Sequence, residues 1–321
     1  MESTQAAPQA MRTAPLTRGW AGRMSQAALP AGGLLWLTAT LVTAHASVLG
    51  NSGSPDVALA AAAFALPNLI AAGLVAGAAV ALLATTWRLP VEEPDAPPVV
   101  RRLASGVTAG TVLGGICAGL IVYAYGGYPR VTALAVTVGV SALIGGAGAA
   151  LPRPVLSAGV LSCLGVLVVG LVAGFAQPGL VGLLGADGTL DAEVKAGWTA
   201  AYLAGAVGGL AAGLLAYWLL RRHGSRPWPW YLLAGALPGL LLLVTELLTR
   251  TGGAGLLALV RDLSEGDRYA VEFTAFARLR NALVVLFVGG LTAMIAIGRT
   301  LGPAAPAEPQ EATPDAESPD A

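Results

Sequence analysis

The sequence predicts an all-α fold: a polytopic integral membrane helix bundle of about eight transmembrane helices, with both termini in the cytoplasm. Three observations predict it. Charge is scarce, apolar charge-free runs recur along the chain, and arginines concentrate in alternate connections. Only 11% of the 321 residues are charged and 55% are hydrophobic, with a mean hydropathy of +0.71. A soluble domain carries about 25% charged residues, which it needs to stay in water. The 43 glycines show no three-residue period, and small residues suit helices that pack closely in lipid.

A helix needs about 20 apolar residues to cross the hydrocarbon core, with its backbone groups bonded internally. Such runs fall at 32–50, 67–87, 104–125, 131–151, 155–176, 198–220, 231–249 and 281–299. The first is long for a signal core and is followed by others, so it is taken as a retained helix. Segment 57–66 is Ala-rich and meets Pro67-Asn68. It is either the start of one bent helix or a short outer-surface helix ahead of a span beginning at Pro67. The second is preferred, because proline fits a first helical turn and disturbs a helix interior.

Orientation follows from basic residues, which favour the cytoplasmic side. Eleven fall in connections assigned to the cytoplasm, among them Arg88, Arg101, Arg102, Arg153, Arg221 and Arg222, against seven outside. Five of those seven lie in 250–280. Tryptophans at 36, 87, 198, 218, 228 and 230 sit near helix ends, where an indole prefers the interface. Residues 1–30 read as a polar, basic cytoplasmic tail and 31–300 as the bundle. Residues 301–321 are acidic and Pro-rich, without a basic residue. That composition cannot bury enough apolar area to offset ordering, so this tail is expected to be disordered. Within 250–280, Tyr269, Phe273 and Phe276 recur at helical spacing among charges, which predicts an extracytoplasmic amphipathic helix running into the last span.

Small residues at four-residue spacing mark two candidate packing faces: Gly106, Gly110 and Gly114 on the third helix, and Gly205, Gly209 and Gly213 on the sixth. Shorter pairs are Gly73 and Gly77, Gly170 and Gly174, and Gly235 and Gly239. Residues 113–123 also resemble 207–217, an offset of three helices. A true match would be an inverted repeat, as in many secondary transporters; chance similarity in an Ala/Gly/Leu-rich chain is the other explanation.

Ionisable groups at membrane depth are costly and mark function by default. Two candidates exist, His45 and Glu246, each near the outer end of its helix. They could pair, to relay protons or hold a cation. Alternatively Glu246 reaches Arg250 one turn on, and His45 bonds a neighbouring hydroxyl. No charge lies at the middle of any span, which argues against an ion-coupled pump.

The chain has no phosphate loop, nucleophile elbow, HExxH or CxxC. Two histidines and no carboxylate cluster do not build a zinc site, so no catalytic residue, metal or cofactor is expected. Net charge is zero, which gives no case for nucleic acid. Cys117 and Cys163 lie inside apolar runs and are expected as core residues. The Arg, Ala and Gly bias suggests a GC-rich bacterial genome and hence an inner (plasma) membrane. The partners expected are the lipid bilayer and either other membrane proteins or further copies of the chain. Two functions fit: a small-solute or lipid permease, or its membrane subunit, and a non-catalytic accessory protein of envelope or division machinery. A lipid-acting enzyme trails both. A permease predicts a polar cavity between the third and sixth helices.

Overall fold

The computed structural model describes residues 20–51, 53–88, 99–125, 131–184, 189–224 and 226–300. The C-terminal tail and residues 1–19 lie outside them. All elements among the described residues are helical. They are α1 (Trp20–Gly50), α2 (Pro55–Arg88), α3 (Val99–Tyr125), α4 (Val131–Ala147), α5 (Arg153–Leu183), α6 (Leu190–Arg222), α7 (Trp228–Gly252), α8 (Ala254–Arg261) and α9 (Glu265–Gly298). A 3-10 turn, Gly148–Ala150, separates α4 from α5. Eight of these helices, all but α8, are long and apolar enough to cross a membrane.

Two boundaries differ from the sequence reading. Helix α1 begins at Trp20, so the segment expected as tail is already helical before residue 30. Residues 55–66 are not a separate surface helix, because α2 runs unbroken through Pro67. Pro67 removes one intrahelical donor, yet alanine has the highest helix propensity and this stretch is alanine-rich. Its Ala58, Ala63 and Leu66 are also buried. Tertiary burial outweighs the local cost.

The 250–280 segment divides in two. Leu256, Leu257 and Val260 of α8 turn inward and join the core beside α2. Ser264 then caps α9, its Oγ accepting a bond from the Asp267 backbone N–H at 3.0 Å. Helix α9 carries the expected amphipathic stretch straight into its apolar part.

The helices pack as two groups of four with similar internal patterns, except that α5 also lies against α7 while α1 has no matching contact with α3. In the first, α1 lies along α2, α2 along α3 and α4, and α3 along α4. In the second, α5 lies along α6, α6 along α7 and α9, and α7 along α9. Helix α2 makes the main contacts between groups, against α5 and α7. It is the most enclosed span, with 72% of its apolar window buried, whereas α1 has 17%.

Glycines set the helix spacing inside each group. A Cβ on Gly110 of α3 would lie 2.6 Å from the Ala142 carbonyl oxygen of α4, and Gly77 of α2 presses on that same carbonyl. In the second group, a Cβ on Gly235 of α7 or on Gly213 of α6 would lie 2.5 Å from the Gly289 carbonyl oxygen of α9. Each group is thus a three-helix junction closed over one carbonyl. Gly106 and Gly114 also face α4, and Gly205 and Gly209 face α9, whereas Gly170 and Gly174 meet open space.

The residues matched between 113–123 of α3 and 207–217 of α6 have unlike surroundings. Gly115 faces open space while its counterpart Gly209 is packed on Val288. The repeated packing relates α2 to α6 and α3 to α7, an offset of four spans.

Large apolar side chains outside the core form stripes along single helices: Val112, Ile116 and Leu120 on α3, and Phe287, Leu291 and Ile295 on α9. A soluble monomer rarely exposes such continuous apolar surface; in lipid it is the solvated face.

Candidate functional site

Glu246 lies in the last turns of α7 and is buried, its side chain 4% exposed. An isolated carboxylate cannot remain ionised in such a place without partners, and the sequence supplies two. Arg250, one turn on, donates from Nε to Oε1 at 2.8 Å. Arg278, from α9, donates from Nε to Oε2 at 3.1 Å. Two guanidinium groups therefore meet one carboxylate, leaving an excess of one positive charge. The Arg250 side chain is 53% exposed and that of Arg278 30%, so Arg278 is the more enclosed of the two.

Glu246 and Arg278 line a cavity of about 160 Å³ together with Pro67, Asn68 and Ala71 of α2, Leu242 and Thr245 of α7, and Asn281 of α9. The cavity lies where α2 of the first group meets α7 and α9 of the second. Adjoining it, and sharing Ala71, Leu242 and Thr245, is an apolar compartment of about 20 Å³ that reaches Cys163 and Pro238. Two of the four in-helix prolines among the described helices border these compartments, Pro67 the cavity and Pro238 the apolar one, and each deprives its helix of one backbone donor.

The polar groups around the cavity are under-used. Thr245 bonds back to the Leu241 carbonyl oxygen at 2.9 Å. Among the described residues, the side-chain amides of Asn68 and Asn281 have no hydrogen-bond partner, and neither do the terminal nitrogens of Arg278. Asn68 is exposed and Arg278 and Asn281 are half-buried, so their free donors are open to water or to a ligand.

The two charged candidates from the sequence have separate partners. His45 Nδ1 is 2.5 Å from the Tyr125 hydroxyl, joining the ends of α1 and α3. It belongs to an exposed edge, while Glu246 sits with its two arginines at the cavity; the suggested His45–Glu246 pair is not formed. Nor does the space between α3 and α6 hold the cavity, because those helices lie in opposite groups.

Sequence reasoning placed Arg278 on an extracytoplasmic amphipathic helix ahead of the last charge-free run, and passed over the amides because only ionisable groups were weighed. One signal was present. The chain has three asparagines, and two of them, Asn68 and Asn281, face this cavity.

A second set of contacts frames α6. Arg280 stacks on Trp198 and Tyr202, with its guanidinium carbon 3.9 Å from each ring centre. Arg222 stacks on Trp218 at 3.7 Å. The two tryptophans are twenty residues apart, about 30 Å along a helix, which is the thickness of the hydrocarbon core. The arrangement suits indoles at the two interfaces.

No group of three or more His, Cys, Asp or Glu side chains converges as a metal site among the described residues. No family model, curated protein or solved structure matches the chain.

Proposed function

We propose that this protein is a small-solute permease, or the membrane subunit of one, in a bacterial inner membrane, with both chain ends in the cytoplasm. One observation carries the reading. Two asparagines and an arginine present polar groups without protein partners to a cavity at the seam between two similarly packed four-helix groups. Repeat interfaces are where many secondary transporters hold their solutes, often beside interrupted helices, and the in-helix Pro67 lines this cavity.

The test is flux. The purified protein, reconstituted in liposomes, should pass some members of a panel of small polar solutes faster than protein-free vesicles. The double variant Asn68→Leu, Asn281→Leu should cut that flux at least tenfold while keeping the same thermal unfolding midpoint. A variant that carried solute at the full rate would overturn the reading, as would a panel on which no solute moved.

A second reading, an accessory membrane protein acting through partners, is favoured by the small apolar compartment adjoining the cavity. It offers no polar path onward. Under that reading the cavity holds only water.

A further inference from the structure

We infer that the cavity between α2, α7 and α9 binds a small oxyanion, a carboxylate or a phosphate, on the terminal nitrogens of Arg278. The inference rests on the permease reading for its place in transport, but its chemistry stands on the site alone.

The first argument is charge. Glu246 faces both Arg250 and Arg278, so one positive charge is left without a counterion at the site. A cation would meet net repulsion there, and a neutral solute would leave the excess uncompensated.

The second argument is donor geometry. A guanidinium has five N–H donors in a planar fork. Arg278 spends its Nε on Glu246, which fixes the plane of the group. Its two terminal nitrogens have no protein acceptor among the described residues. A terminal guanidinium edge is matched to the two oxygens of a carboxylate or phosphate. Glu246 is therefore a positioning residue: it holds the fork still and does not consume its outer edge.

The third argument is the company Arg278 keeps. The amides of Asn68 and Asn281 line the same space, and each offers two further donors. The cavity, about 160 Å³, has room for a compact anion with some water. Such an anion has two sources: a free solute, or the headgroup of an anionic lipid entering from the side.

The experiment uses the full-length protein in phosphatidylcholine nanodiscs and follows its thermal unfolding midpoint at fixed ionic strength. Acetate and inorganic phosphate should raise the midpoint saturably, while acetamide, of similar size but uncharged, should not. In the paired variant Glu246→Gln, Arg278→Gln, the apparent affinity for acetate should fall at least tenfold. Asn281→Leu, which leaves the ion pairs in place, should weaken it similarly and covers the case in which the paired variant does not fold. Nanodiscs of phosphatidylglycerol separate the sources. A raised midpoint there without added anion, and no further rise with acetate, assigns the site to a headgroup; an unchanged acetate response assigns it to a free solute. Equal shifts with acetate and acetamide would overturn the proposal, as would no shift in either bilayer or an unaltered affinity in the variants. The result is separable from transport. Anion binding without flux removes the permease reading alone, and flux of a neutral solute without anion binding removes this one alone.

Discussion

Removing Arg278 and removing Arg250 are unequal operations, although both touch the same carboxylate. Arg278 comes from another helix and is the more enclosed, so Arg278→Ala leaves Glu246 with one half-exposed partner. Breaking a buried pair this way costs about 3 kcal/mol or more. Arg250 reaches Glu246 along its own helix and is half in solvent; Arg250→Ala should cost less than about 1 kcal/mol. Denaturant titrations of both variants in detergent micelles should show that order, and equal losses would contradict the burial difference. The sequence made the Arg250 contact readable, since an i+4 acid–base pair is a local feature. It did not make Arg278 readable, because 32 residues separate the pair and a charge at the edge of an apolar run is naturally assigned to the outer surface. The same applies to His45, whose partner lies 80 residues away.

For the helices, the glycines divide into those that hold a neighbour close and those that meet nothing. Gly110→Ala would push a methyl group onto the Ala142 carbonyl of α4 and should cost on the order of 1–3 kcal/mol. Gly115→Ala, five residues on, faces open space and should stabilise the helix by up to about 1 kcal/mol. Thermal unfolding of the two single variants separates them, and a neutral Gly110→Ala would mean that α3 and α4 can part without penalty. Four-residue spacing alone marked Gly106, Gly110 and Gly114 for close approach, but it marked Gly170 and Gly174 equally, and these face open space. Spacing finds a face without saying what the face meets. Helix α2 shows the other limit. The rule that proline ends a helix is local, whereas Ala58, Ala63 and Leu66 are held by neighbours far along the chain. Pro67→Ala should raise the unfolding midpoint by restoring a backbone donor and, if the proline gives α2 its mobility, lower solute flux. A lowered midpoint would show that the ring's packing outweighs the missing bond.

For the whole molecule, the eight spans were legible because oil solubility is a property of composition and length. Their partners were not, because a helix that is apolar all round carries no stripe to say which side touches protein and which touches lipid. The two-by-four arrangement emerges only from packing, and it argues for an even number of crossings with both ends on one side. Reporters fused to the two termini should therefore give the same compartment signal; opposite signals would change the span count.

Three of the cavity's eight lining residues come from α2, and the other five from α7 and α9. Both arginine clasps on Glu246 lie wholly within that second pair. Sliding the Pro67 region of α2 away would widen the chamber without breaking either clasp, while the far end of α2 stays tied to α5 by the bond from Arg153 Nη2 to the Thr85 carbonyl. The charged wall would behave as a fixed jamb and the alanine-rich helix as the door, hinged at the end that Arg153 holds.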